Sequence, residues 1–134
     1  MTVLESILYV DDIDRAEAFY TRLFRLEVEH KEPGRHLFLK LEHSMLLLFQ
    51  PDRTSQDSGD GDSIDVPTHG AYGPGHLAFR MHHEEAVTWR AKLASEAIPL
   101  EREIRWPNGG LSLYFRDPAQ NSLELATPDL WNLS

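Results

Sequence analysis

The chain has 134 residues, no cysteine, 41% hydrophobic and 26% charged side chains, and 22 acids against 13 bases for a formal charge of −9. A chain of this length buries roughly two-thirds of its unfolded surface and builds a core without disulfides or a structural metal. The lack of cysteine excludes thiolate zinc sites and cysteine redox chemistry. Only three of the bases are lysines, and the ten arginines are scattered among acids. No basic stripe is therefore present to neutralise a phosphate backbone. No apolar run nears the roughly 20 residues of a membrane span, and the first twelve residues lack the basic start of a secretory leader. Nucleic acid and membrane are not expected partners, and the composition reads as a cytoplasmic protein.

In chain order, residues 3–10 alternate as a strand with Leu4, Leu8 and Val10 on one face and Glu5, Ile7 and Tyr9 on the other. Asp12 is placed to cap a helix, IDRAEAFYTRLF, whose Ile13, Ala16, Phe19, Tyr20, Leu23 and Phe24 form an apolar stripe. Strands are expected at 27–31, 36–41 and 45–50. Residues 51–75 are rich in Gly, Asp, Ser and Pro and read as a loop, mobile over 55–65 where nothing can be buried and the acids repel. Its run from Asp57 to Asp62 lacks the acidic positions and terminal Glu of a calcium loop. The order then repeats, with a strand at 76–81, a helix at 83–97 that has Trp89 in the core, and strands at 100–106, 111–116 and 122–127.

The two halves superpose on apolar anchors. Ala16, Phe19 and Leu23 match Ala86, Trp89 and Leu93, 70 positions on. The opening strands match at 71 positions, which sets Glu5 opposite His76. The closing segments LLLFQP and LELATP match at 77, which sets Leu47 opposite Glu124. Three polar residues and one leucine thus hold four equivalent places. The alternate positions Leu77, Phe79, Met81, Leu123 and Leu125 suit packing against helices.

Three stretches, YVDDIDRAEAFYTRLF, GPGHLAF and FRDPAQNSLELATP, together resemble the vicinal oxygen chelate superfamily. That group includes glyoxalase I, bleomycin-resistance proteins, fosfomycin-resistance enzymes, methylmalonyl-CoA epimerase and extradiol dioxygenases. The most specific element is Asp117-Pro118 followed by Asn121 and Glu124-Leu125. The resemblance implies an α+β fold of two βαβββ modules, their mixed sheets curled into a cupped half-barrel with helices on the convex side. It implies one domain over 1–134, with modules at about 1–51 and 76–128 and a linker at about 52–75. It also implies a homodimer, and a divalent metal held from the first and last strand of each module. Those places are Glu5, His76 and Glu124 here, with Leu47 where four-ligand members carry Glu or Gln.

Two carboxylates and an imidazole suit an ion of intermediate hardness, Mn, Fe, Ni, Mg or Zn. Three protein ligands leave room for two substrate oxygens, with Glu124 as the residue that moves the proton. Tyr9, Arg80 and Tyr114 share strand faces with these groups and are candidates for binding substrate. His69, in the loop, is placed to fold over a cup or to stay exposed, while His82 and His83 start a helix and read as solvated. Trp106, before Pro107-Asn108-Gly109-Gly110, fits the mouth of a cup or a turn. Two functions stand from different classes. The first is a glyoxalase-like lyase or isomerase acting on a small molecule with vicinal oxygens. The second is a binding protein that sequesters a compound as bleomycin-resistance proteins do, favoured by Leu47, Ile7, Met45 and Phe49. A dioxygenase stands behind both, since that chemistry uses two histidines and one carboxylate.

Overall fold

The computed structural model describes residues 1–56 and 66–134, so the expected mobility of 55–65 and the acidic run concern a stretch lying, apart from Ser55 and Gln56, outside the described residues. The chain divides into two compact units, Met1–Gly73 and Pro74–Ser134. No described helix is long and apolar enough to cross a membrane.

The first unit runs β1 (Glu5–Tyr9), α1 (Ile13–Phe24), β2 (Glu27–Glu32), β3 (His36–Lys40), β4 (Met45–Phe49) and α2 (Pro51–Thr54). The Asp12 carboxylate accepts the Arg15 N–H at 3.0 Å and starts α1, and Arg25, in the left-handed region at φ 55°, stops it. The helix buries Ile13, Ala16, Tyr20 and Leu23 and contacts β3 and β4. The sheet order is β1-β4-β3-β2, with β1 and β4 parallel and the rest antiparallel. Leu37, Leu39, Leu46 and Leu48 on the sheet are fully buried.

The second unit repeats the plan with β5 (His76–Arg80), a 3₁₀ turn (His83–Glu85), α3 (Ala86–Ser95), β6 (Arg102–Arg105), β7 (Leu111–Arg116) and β8 (Ser122–Ala126). A closing 3₁₀ turn follows at Pro128–Trp131. Its sheet order is β5-β8-β7-β6, again with the first and last strands parallel. The backbone pairing carries the internal repeat in full. Glu5 pairs with Met45 and Ile7 with Leu47, while His76 pairs with Ser122 and Ala78 with Glu124. These are the same two rungs moved by 71 positions on one strand and 77 on the other.

Several expectations need correction. One turn of helix, α2, occupies Pro51–Thr54 where composition suggested loop, because Pro at the first helical position supplies the required φ and needs no donor. Leu4 lies ahead of β1 and is 73% exposed. Leu77, Phe79 and Trp89 are only half-buried, the last with the Lys92 ammonium over its ring at 5.7 Å. The second helix opens as a 3₁₀ turn in which the Glu85 carboxylate accepts the His82 N–H at 2.7 Å.

The closing motif works as a clamp. Buried Asp117 accepts the Asn121 N–H at 2.8 Å and its side-chain amide at 3.0 Å, and Asn121 Oδ1 accepts the Gly75 N–H at 2.8 Å. Gly75 O in turn accepts the Ser122 N–H at 2.9 Å. The β7–β8 turn is thereby tied to the residue before β5, which sets the register between His76 and Glu124. Asn121→Ala removes the acceptor of the Gly75 N–H and a side-chain donor to the buried Asp117 carboxylate. It is expected to cost about 2 kcal/mol in urea unfolding with the folded-state spectrum unchanged.

Candidate functional site

Strand alternation puts His76 and Ala78 of β5, Ser122, Glu124 and Ala126 of β8, and Ser112 and Tyr114 of β7 on one face, opposite the packed leucines. Glu124, 5% exposed, is the buried carboxylate of this face. Its Oε1 accepts the hydroxyl of fully buried Ser112 at 2.5 Å, and Ser112 Oγ accepts the Trp106 indole N–H at 2.9 Å. Its Oε2 lies 3.1 Å from His76 Nε2. His76 Nδ1 is 3.0 Å from the Ser122 carbonyl, which only accepts, so Nδ1 carries a proton. Nε2 is left either to donate to Glu124 as imidazolium or to offer its lone pair to a cation.

Burial first, and the Glu124 charge second, push the Tyr114 phenol above its ordinary value. It therefore stays a neutral donor at physiological pH. Its ring stacks on His76 with centroids 6.2 Å apart. These groups open onto a cavity of about 540 Å³ whose walls include Trp106, Pro107, Leu130 and Trp131. The wall is latched by Asn108, whose side-chain amide donates to the carbonyls of Asp129 and Leu130 at 3.1 and 2.9 Å. A Cβ on Gly110 would stand 2.8 Å from the Leu130 Cα, so only glycine allows this approach.

On the first unit the equivalent face is aromatic. Glu5 sits exposed at the start of β1, and Leu47, 7% exposed, occupies the place that Glu124 holds in the second unit. The Tyr9 hydroxyl donates to His69 Nδ1 at 2.7 Å, and Phe49 meets the His69 ring edge-on at 4.7 Å. The loop histidine therefore folds onto the sheet. Buried His36 stacks on Phe38 at 4.1 Å. An Arg35 N–H donates to its Nδ1 at 2.7 Å, and its Nε2 proton goes to His30 Nδ1 at 2.8 Å. Burial, and then the charge of Arg35, lower the His36 pKa to about 4.

Of the expected residues, the structure brings His76, Glu124 and Tyr114 together on one cavity. Tyr9 and Glu5 stand on the first unit. Arg80 is not part of this cavity wall, and its guanidinium donates to the Ser134 carbonyl at 2.7 Å. Trp106 does both things its position suggested, lining the cavity and closing a turn in which its N–H meets the Gly110 carbonyl at 2.8 Å. His83 is exposed and within 2.8 Å of Asp129. Among the described residues no group of three or more His, Asp or Glu side chains is gathered closely enough to hold a metal ion. Sequence reading missed Ser112, whose only signal was that it shares a strand face with Tyr114.

A family model described as the Glyoxalase/Bleomycin resistance protein/Dioxygenase superfamily matches residues 2–125. The chain belongs to this superfamily. Its fold is similar to the crystal structure of a lactoylglutathione lyase from Agrobacterium tumefaciens, with a TM-score of 0.92, 41% identity, and 98% of this chain and 97% of that chain covered. Two solved structures of lower identity share the fold. One is an integron cassette protein from the mobile metagenome of the Halifax Harbour sewage outfall (TM-score 0.72, 19% identity, 94% and 97% covered). The other is a mutant fosfomycin resistance protein from Listeria monocytogenes, complexed with Mn(II) and a dihydroxypropylphosphonic acid (0.66, 19%, 95% and 91%). No curated protein matches the chain.

His36 gives this superfamily member a pH signature. With its folded pKa near 4 and an unfolded value near 6.5, the unfolded chain binds the extra proton between those values. The contribution is complete above about pH 6.5 and is lost as pH falls toward 4, on the order of 3 kcal/mol. Urea midpoints measured from pH 7.5 to 4 are expected to fall more steeply for the wild type than for His36→Gln.

Proposed function

We propose that the second unit's cavity is the active site of a metal-dependent lyase or isomerase of the glyoxalase type. The observation that carries the reading is the buried Glu124 carboxylate held beside His76 on an apolar cavity wall. The donor set fits a divalent ion. The Ser122 carbonyl fixes the His76 tautomer with Nε2 free to ligate, and the second Glu124 oxygen is held by Ser112. His76 and Glu124 would hold the ion, which leaves its other positions to water and substrate oxygens. When bound, the ion supplies Lewis-acid polarisation of two neighbouring substrate oxygens.

The chain's own residues do the rest. Glu124 Oε2 takes the proton from the carbon bearing the hydroxyl and returns it to the neighbouring carbonyl carbon, while the hydroxyl proton passes to the former carbonyl oxygen with Tyr114 as the relay. Tyr114, kept protonated by burial, donates to a substrate oxygen. Trp106 and Leu130 exclude water on the wall side. The kinship with a lactoylglutathione lyase at 41% identity supports a thiol adduct of a 2-oxo aldehyde as the first substrate to test. The two units act as one domain, and the chain works as a homodimer in an aqueous, cytoplasmic setting.

Isothermal titration with Mn(II), Ni(II) and Zn(II) is expected to find one ion per chain. At a hundredfold excess over Kd the ion should stabilise the fold by about 2.7 kcal/mol. His76→Ala is expected to abolish both effects. Glu124→Gln should lower kcat at least about 100-fold on a glutathione–methylglyoxal adduct. A wild type that binds no divalent ion, yet holds small apolar compounds tightly, would replace this reading with the sequestering one. Light scattering is expected to return twice the 15.4 kDa of one chain, and a monomer at all concentrations would remove the dimer.

A further inference from the structure

We infer that Ser112, locked by Trp106, is the positioning residue that fixes the Glu124 carboxylate for its work. The inference rests on reading this cavity as the active site. Three observations carry it. The first is direction. An indole N–H donates and never accepts, so the bond from Trp106 Nε1 at 2.9 Å obliges Ser112 Oγ to serve there as acceptor. The single hydroxyl proton is thereby released toward Glu124 Oε1 at 2.5 Å. One carboxylate oxygen is committed to the protein, and the other is turned to His76 at 3.1 Å.

The second observation is burial. Ser112 is 0% and Glu124 5% exposed, so the hydroxyl and the carboxylate it meets must find partners within the protein. The third is the internal control that the repeat provides. β3 pairs with β4 through His36–Phe49 and Phe38–Leu47, and β7 with β8 through Ser112–Ala126 and Tyr114–Glu124. Ser112 therefore corresponds to His36, and Glu124 to Leu47. The first unit builds the same sheet with a leucine at the carboxylate position and no hydroxyl beside it, so neither group is a requirement of the fold. Trp106 adds a second role, since its ring also lines the cavity. The residue that orders the carboxylate is thus also one that substrate touches.

The test uses the full chain with Ser112→Ala, Ser112→Thr and Trp106→Phe, reading Mn(II) affinity, kcat and KM separately, Tm, and the indole N–H resonances of the three tryptophans. Ser112→Ala is expected to weaken Mn(II) binding about 10- to 100-fold. It should lower kcat more than it changes KM, keep a cooperative melt, and shift the Trp106 indole resonance. Ser112→Thr, which restores a hydroxyl, should recover affinity and kcat. Trp106→Phe, which keeps an aromatic wall and removes the donor, should show the same kcat-weighted loss at smaller size. Wild-type affinity and kcat in Ser112→Ala would overturn the inference. So would a loss that Ser112→Thr and Trp106→Phe share only in proportion to their drop in Tm. If the wild type neither binds Mn(II) nor turns over substrate, the active-site reading fails by itself. The indole resonance still decides the positioning claim, because Glu124→Gln must move the Trp106 signal through Ser112, and an unmoved signal refutes it.

Discussion

Parallel pairing between the first and last strand of each unit is the constraint on which the rest depends. A chain that leaves β5, crosses through α3 and returns by the β6–β7 hairpin brings β8 back beside β5 in the same direction. Two side chains 48 residues apart in sequence thereby stand 3.1 Å apart. Because strand side chains alternate, a slip of one residue would turn Glu124 into the packed layer and Leu123 and Leu125 onto the cavity. The leucines hold the register against that slip, and the Asp117–Asn121–Gly75 clamp holds it from the turn. The chemistry of the face is positioned by the hydrophobicity of the opposite one.

Much of this architecture was legible in the sequence because it is written in periodicities. The period-2 alternation in β1 and β8, the 3.6-residue stripe of α1 and the Asp12 cap all report local physics, and the structure follows them closely. The pairing of His76 with Glu124 was legible only through the repeat, since neither residue signals the other across 48 positions. What escaped depended on contacts that no period encodes. Ser112 is a small polar residue on a buried strand, and its meaning comes from an indole delivered by the turn after β6 and a carboxylate delivered by β8. Trp89 looked like core by helical spacing, yet it keeps a partly exposed face with the Lys92 ammonium over its ring. Arg80 has the right strand parity for the cavity, but its long side chain reaches the Ser134 carbonyl.

The two units show what one sheet can carry at equivalent places. At the first, Leu47 and Phe49 make a hydrocarbon surface capped by His69, and His36 is held neutral by its burial and by the Arg35 guanidinium. At the second, hydrocarbon is replaced by a carboxylate with hydroxyl, imidazole and indole around it. Burying a carboxylate costs several kcal/mol before its partners offset it, and a hydrophobic residue of similar volume is often as stable or more so. Leu47 demonstrates that alternative within the same chain. The Glu124 cluster therefore does not exist to stabilise its unit.

That argument also separates the two functions the fold can serve. A protein that only sequesters a compound needs a wall, and the apolar residues around the cavity already provide one. For an apolar guest it gains nothing from a carboxylate whose one oxygen is tied to Ser112 and whose other is aimed at an imidazole. A protein that moves a proton needs such a group, held in one orientation beside the place where the substrate's oxygens lie, because catalysis rewards geometry set before the reaction begins. Indole, hydroxyl, carboxylate and imidazole form an ordered line from the turn after β6 across β7, β8 and β5. Their order costs stability, and the proton transfer proposed for this cavity accounts for that cost where storage of an apolar compound does not.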